Sequence, residues 1–274
     1  MDLLKYTAHL EFRNPALVVC WEGDAGQLGS GVLEYIRRQL GARPFCEIDP
    51  VEFFPLSGVG VESDVVQFPE STFYGVPDRD LVLFYGSIPR YEWFRFLNLV
   101  VDVAEECHAR EIYTIGGMIA LSPHTAPRDF WATFGTPEIK QSLQPYGLSR
   151  ELDFETPPGG RPTLNSFMLW TAKRRDLPGA NLWVPVPFYM VGVKDPKSHK
   201  RVLDFMDSRL RLGLDLAGIE AEIARQEESL AQLRRDHQDV ETIIGKLENG
   251  GQLSEEEHEK LVKDIEMHLR QIGG

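Results

Sequence analysis

Apolar residues follow two rhythms along this chain. Short continuous apolar runs, the pattern of strands buried on both faces, alternate with stretches in which apolar positions recur every three or four residues, the pattern of helices with one buried stripe. The first run is Pro15 to Trp21 (PALVVCW). It is followed by the turn Gly23-Asp24-Ala25-Gly26 and a helix from about Gln27 to Leu40, with Leu28, Val32, Tyr35, Ile36 and Leu40 on one face. Arg43 to Ile48 predicts a second strand, stopped by Asp49-Pro50, and the Gly-, Pro- and Ser-rich segment from Val51 to Pro77 predicts a β-hairpin or meander at a sheet edge. Asp80 to Tyr85 (DLVLFY) reads as a strand, and Tyr91 to His108 as a helix with Phe94, Leu97, Val101 and Ala104 lining one side. Ile112 to Arg128 (IYTIGGMIALSPHTAPR) predicts a buried strand that enters a tight Gly116-Gly117 corner and then a Pro-bounded loop. Together these predict a β-α-β unit with parallel strands and a right-handed crossover.

Farther along, Gly135 to Leu152 predicts a helix-containing excursion, Pro157-Pro158-Gly159-Gly160 a break, and Asn165 to Asp176 a helix. Asn181 to Val191 predicts a strand in which Pro185 and Pro187 each remove a ladder donor, implying an edge or a bulge. Ser198 to Leu212 is a helix with Val202, Phe205, Met206 and Leu210 inward. After Gly213 the rhythm becomes a heptad: Leu216, Ile219, Ile223, Gln226, Leu230, Leu233, His237, Val240, Ile244 and Leu247 advance in alternating steps of three and four. Asn249-Gly250-Gly251 ends that seam, and Ser254 with Glu257 forms a capping box for a second helix carrying Leu261, Ile265 and Leu269. The expected organisation is an α/β body over residues 1–213 and a coiled-coil-like helical hairpin over residues 214–274. The longer first arm of that hairpin is available to the body or to another subunit.

Composition narrows the classes. With 274 residues, 42% hydrophobic and 26% charged, the chain can bury a sizeable core. A net charge of -13 lacks the positive footprint that nucleic acid demands. From Asp215 to Gly274, 15 acidic residues stand against 7 Lys and Arg, so the predicted hairpin is strongly acidic. Cys20, Cys46 and Cys107 are odd in number and widely spaced, which suits a reducing compartment. There is no signal-peptide pattern and no run near the roughly 20 apolar residues that a membrane span needs. A cytoplasmic protein that binds neither nucleic acid nor membrane is expected.

The candidate chemistry sits at two places. Strand, glycine turn and helix open many nucleotide-binding units, but the glycines at 23, 26, 29 and 31 form neither G-x-G-x-x-G nor a P-loop. Glu22 and Asp24 would also place negative charge beside a phosphate, so a structural turn is favoured over a cradle. The second place is the loop carrying His124, Thr125 and Arg128 between Pro123 and Pro127. His124 would act there as a general acid or base with Arg128 holding an anion. Alternatively it would fasten the loop to backbone carbonyls, with Arg128 paired to a carboxylate such as Asp129 or Glu92. With no nucleophile nearby in sequence, the fastening reading is favoured. The ligand or interaction candidates are Asp24, Gly26, Gly116, Gly117, His124, Thr125 and Arg128. No Gly-x-Ser-x-Gly elbow occurs, and His258-Glu259 lacks a second histidine because Val262 stands in that position. No catalytic residue, metal or cofactor is predicted.

Five segments in order, WEGDAGQLGSG, EIDPVEFF, LFYGSIPRYEWFRF, IGGMIALSPHTAPR and VPVPFY, resemble the family named after the second proteasome assembly chaperone, in its bacterial and archaeal branch. The resemblance spans roughly residues 10 to 215. It implies a three-layer α/β/α body with a mostly parallel sheet, of the kind shared with nucleoside phosphorylases and peptidyl-type hydrolases. It also implies homo-oligomers, trimers among them, an unidentified protein partner, and no established catalytic residues. Three positions depart from the family: Ser87 replaces a frequent acid, Ala126 a frequent base and Phe188 a common histidine. Each departure points away from chemistry. The ending Gln271-Ile272-Gly273-Gly274 also lacks the tyrosine by which proteasome-docking chaperones anchor. The expected function is that of a non-enzymatic homo-oligomeric assembly or scaffold factor. The alternative is an enzyme or small-ligand-binding protein using the edge at Gly116-Gly117, His124 and Arg128.

Overall fold

The structure, a computed structural model, describes residues 2–55, 60–62, 64–148 and 159–272. The expected break at Pro157-Pro158 and the end of the 135–152 excursion lie outside the described residues, as do Gly273 and Gly274. In chain order, a short strand β1 (Leu4–Tyr6) precedes β2 (Ala16–Trp21), α1 (Leu28–Leu40), β3 (Arg43–Ile48) and a small hairpin of β4 (Gly60–Glu62) and β5 (Val65–Gln67). Next come β6 (Ser71–Val76), β7 (Leu81–Gly86), α2 (Trp93–Glu106), β8 (Glu111–Ala120), β9 (Trp131–Phe134) and α3 (Pro137–Leu143). The chain continues with α4 (Leu164–Arg174), β10 (Gly179–Pro187), α5 (Pro196–Leu210), α6 (Ala217–Asp236), α7 (Gln238–Glu248) and α8 (Glu255–Ile272).

Among the described residues, eight strands form one sheet in the order β1-β3-β6-β7-β2-β8-β10-β9, apart from the β4-β5 pair. The four central strands β7, β2, β8 and β10 run parallel, and antiparallel pairs flank them on both sides. β2 is buried along its whole length, as its unbroken apolar run requires. The strands of the predicted β-α-β unit, β7 and β8, share a direction, but β2 lies between them. Sequence order could not show that insertion, because β2 comes earlier in the chain.

Each sheet face carries its own core. On one side Leu28, Val32 and Ile36 of α1 and Val202, Leu203 and Met206 of α5 close over Ala16, Val18 and Leu83. On the other side Phe96, Leu97 and Val101 of α2 and Met168 of α4 close over Leu17, Val19 and Phe84. This is the three-layer α/β/α arrangement. Phe94, expected on the inward stripe of its helix, instead remains 47% exposed, and Phe96 takes the inward place. Both prolines of β10 lie beyond Trp183, where β9 stops pairing, so that flank of the strand is an edge there, as the missing donors require.

Two further expectations change. Gly116 and Gly117 form no corner: they sit inside the ten-residue strand β8, which continues to Ala120. The first arm of the predicted hairpin is two helices, broken at His237, whose backbone is extended (φ -127, ψ 95). His237 is exposed there, and Gln226 donates to the Lys194 carbonyl at 2.8 Å. The capping box forms as read, with Ser254 N–H donating to Glu257 at 2.9 Å and Glu257 N–H to Ser254 Oγ at 3.2 Å. A third core gathers Leu230, Val240, Ile244, Leu261 and Ile265 of α6, α7 and α8 with Ala25, Val186, Tyr189, Met190 and Val193. The C-terminal helices therefore pack on the end of β10. Among the described residues no helix is long and apolar enough to cross a membrane.

Candidate functional site

The turn between β2 and α1 is built around groups that the chain satisfies itself. The Asp24 carboxylate accepts the Gly29 N–H at 3.0 Å, in the first turn of α1. An anion at a helix N-terminus would need that positive end, and Asp24 occupies it. Burial pushes the Asp24 pKa up to about 6, against the lowering effect of backbone N–H groups from Gly29, Gly117 and Leu28. Gly26 adopts φ +71 and donates its N–H to the Val191 carbonyl at 3.1 Å. Its carbonyl accepts from the Asp195 N–H at 3.0 Å and bonds His199 Nε2 at 2.9 Å. Burial lowers the His199 pKa, so the ring is neutral and donates from Nε2.

Gly117 brings β8 against this turn. A Cβ there would lie 2.3 Å from the Ala25 carbonyl oxygen, so the close approach that the glycine permits is to backbone of the same chain. Gly116 belongs to the opposite face, where a Cβ would meet Trp183 and the Asn165 amide. Gly117→Ala should therefore cost about 1–3 kcal/mol, because backbone rather than a flexible side chain must yield. A urea midpoint compared with wild type checks it; an unchanged midpoint would contradict the contact.

The loop after β8 is fastened at His124, Thr125 and Arg128. The His124 N–H donates to Tyr189 Oη at 2.5 Å, and the ring Nδ1 lies 3.0 Å from the same oxygen. With Tyr189 donating its hydroxyl hydrogen to Nδ1, the neutral ring carries its proton on Nε2; in the other tautomer Nδ1 donates to the same oxygen. Burial, then the charges of Arg234 and Lys197, push the His124 pKa down to about 4. The Arg128 Nε donates to Asp195 at 2.8 Å, with side chains 3% and 0% exposed, and its Nη1 donates to the Ala126 carbonyl. The partner is thus Asp195, neither Asp129 nor Glu92. Ser198 Oγ donates to the same carboxylate at 2.5 Å. Thr125 Oγ1 donates to Glu248 of α7 at 3.0 Å, and Lys197 Nζ donates to the His124 carbonyl while pairing with Glu227 of α6.

This arrangement sets a pH dependence. His124 titrates near 6.5 when unfolded and near 4 when folded, so between those values the unfolded chain binds the extra proton. The contribution is fully present above pH 6.5 and is lost as pH falls toward 4, up to about 3 kcal/mol. Asp24 shifts the opposite way, its folded value raised, so its contribution falls as pH rises from about 4 to about 6. His124→Asn should therefore lose less stability than wild type between pH 7.5 and pH 5, read from urea midpoints. Parallel pH profiles would show that the ring is not held neutral.

A cavity of about 580 Å³ opens between this loop and the C-terminal helices, lined by His124, Thr125, Ala231, Arg234, Gln238 and Glu241 among others. Its walls carry both signs of charge. Arg234 forks between Glu241 and Glu248, at 2.6 and 2.8 Å, and is not free to take an anion without breaking those pairs. Of the candidate residues, Asp24, Gly26, Gly117 and Arg128 are joined through Asp195 and the turn, His124 and Thr125 face the cavity, and Gly116 lies apart. Asp195, Tyr189, His199 and Arg234 were not anticipated. Asp195-Pro196 could have been marked as a helix start, since Pro favours the first helical position. Its buried pairing with Arg128, 67 residues away, leaves no local signal.

A three-layer α/β/α body whose C-terminal helices close over one sheet edge is the class that this geometry defines. A family model of the PAC2 family matches residues 23–234, and the chain belongs to that family. The match runs past Gly213 and covers most of α6. A search of curated proteins returned no sequence match. Solved structures share the fold. A Corynebacterium glutamicum protein of unknown function superposes with TM-score 0.76 at 18% identity, over 90% of this chain and 96% of its own. A Mycobacterium tuberculosis proteasome-assembly chaperone homologue gives TM-score 0.68 at 21% identity, over 79% and 94%. The archaeal proteasome activator PbaB of Pyrococcus furiosus gives 0.67 at 21% identity, over 84% and 98%.

Proposed function

We propose that this chain is a chaperone-like assembly or scaffold factor that works through protein–protein contacts, as a homo-oligomer with a trimer as the expected form and without catalysis. Membership of the PAC2 family supports the chaperone-like part, as does the likeness in fold to a proteasome-assembly chaperone homologue and a proteasome activator. The observation that carries the non-enzymatic part is the filled sheet edge. Gly117 touches Ala25, Gly26 uses its N–H and carbonyl on residues 191–199, and Arg128 is spent on Asp195. Polar groups that hold one another within the chain are poor starting points for substrate chemistry, although Arg128 Nη2 and Asp195 Oδ1 are buried without a hydrogen-bond partner among the described residues. A cytoplasmic site of action fits the odd number of cysteines.

The test is to co-express the chain with 20S proteasome α and β subunits and follow assembly by native mass spectrometry. The expected result is a complex of this chain with unassembled subunits that is absent from the mature particle. No complex and an unchanged assembly rate would remove the proteasome as its client. The second reading, a small-ligand-binding protein, is favoured by the cavity beside His124. Ligand-induced protection of His124 in a metabolite screen by NMR would support it over the first.

A further inference from the structure

We propose that the cavity beside His124 binds a small organic monocarboxylate, held between the His124 ring, the start of α7 and Arg235, a site that rests on the small-ligand reading above. The cavity sits where the C-terminal chain breaks at His237. Arg234 and Arg235 of α6 line it on one side of the break, and Gln238 and Glu241 of α7 on the other. Its volume of about 580 Å³ falls in the range of small-molecule sites, about 300–1,000 Å³. A bare ion would leave most of that space open, so the charged group comes with an organic body.

The donors around the cavity are uncommitted. The His124 ring lines it while only 6% exposed, and its Nε2 takes no hydrogen bond among the described residues. A carboxylate oxygen there selects the tautomer in which Tyr189 donates to Nδ1 and Nε2 carries the proton. Arg235 Nη2 donates to Glu228 at 2.8 Å and to Gln232 at 2.6 Å, which leaves Nη1 and Nε with no acceptor among the described residues. Its pair with Glu228 is exposed on both sides, at 56% and 75%, and a pair of that kind is weak enough for a ligand to compete with. In the first turn of α7, Val240 N–H is taken by Asp239 and Glu241 N–H by the His237 carbonyl. The Gln238 and Asp239 N–H groups have no acceptor among the described residues, and His237 supplies no side-chain cap.

Charge selects an anion, and a single one. After burial, which acts first, Arg234 and Lys197 each act on the His124 ring more strongly than Glu248 opposes them. The floor of the cavity is therefore positive in a chain of net charge -13. The walls also hold Glu227 and Glu241, engaged by Lys197 and Arg234. One loosely held guanidinium, a neutral ring and backbone N–H groups match one negative charge. A dianion such as a phosphate monoester would meet those wall carboxylates at a cost, and a neutral amide of the same shape would gain nothing from Arg235.

The experiment titrates benzoate, benzamide and phenyl phosphate into the full chain at pH 7 and follows the His124 ring signals by NMR. Benzoate should shift them at millimolar concentration, with benzamide and phenyl phosphate each weaker by at least about tenfold. Arg235→Gln, shown folded by far-UV circular dichroism, should weaken benzoate by about tenfold and leave benzamide unchanged. Equal binding of benzamide and benzoate, tighter binding of phenyl phosphate, or a benzoate affinity unmoved by Arg235→Gln would overturn the carboxylate site and leave the small-ligand reading standing. If no probe shifts His124, the carboxylate site falls, and the metabolite screen decides the small-ligand reading separately.

Discussion

Asp195→Ala should destabilise the folded chain by about 3–5 kcal/mol, the largest loss expected from a single polar substitution here. Its carboxylate is fully buried and accepts hydrogen bonds from both Arg128 and Ser198. Removing it strands a guanidinium that is 3% exposed, and that uncompensated charge is what the cost measures. The net worth of the pair is smaller, because bringing both charges out of water offsets most of their attraction. Arg128→Met combined with Asp195→Leu should therefore be much closer to wild type than Asp195→Ala alone. Urea unfolding of the three proteins decides it. A single variant within about 1 kcal/mol of wild type would mean that the Arg128–Asp195 pair is not the lock between the loop and α5.

Leu261→Ala is expected to cost about 2–5 kcal/mol, since its side chain is 0% exposed at the centre of the third core. The informative part is how the loss appears. Leu261 of α8 shares its core with Val186, Tyr189 and Met190 at the end of β10, so the C-terminal helices and the body should unfold in one transition. Far-UV circular dichroism and tryptophan fluorescence should then give coincident curves in wild type and variant. A separate early transition, with the variant affecting that phase only, would show that α6 to α8 fold as an independent unit. The docking described here would then contribute little to the body. This outcome also bears on function, because a tail that stays docked is a wall of the cavity beside His124, whereas one that detaches is an arm.

Much of the layer structure was legible from pattern alone. Continuous apolar runs placed β2, β7 and the start of β8, and the stripe of Leu28, Val32 and Ile36 placed α1 on the sheet, because a buried face imposes its period on the sequence. The capping box at Ser254 and Glu257 was readable for the same local reason: its partners are three residues apart. The short strands β1 and β9 carried no such signature. Three or four residues at a sheet margin are too few to show a period, and each is defined by the partner it pairs with.

At the candidate site the division is sharper. The sequence by itself marked Gly117 as a place of close approach and the 123–128 loop as a polar display, since glycine and proline restrict backbone geometry wherever they stand. Only the tertiary structure decided that the approaching atom is the Ala25 carbonyl oxygen, that Tyr189 holds His124, and that Asp195 holds Arg128. It also decided that a heptad readable as one long arm bends at His237 to bring Val240 and Ile244 into the third core. Each of these contacts joins residues about 65 to 90 positions apart or turns on what fills a shared core. Local pattern records which surfaces must be covered, and the energy of covering them is settled by partners that the pattern does not name.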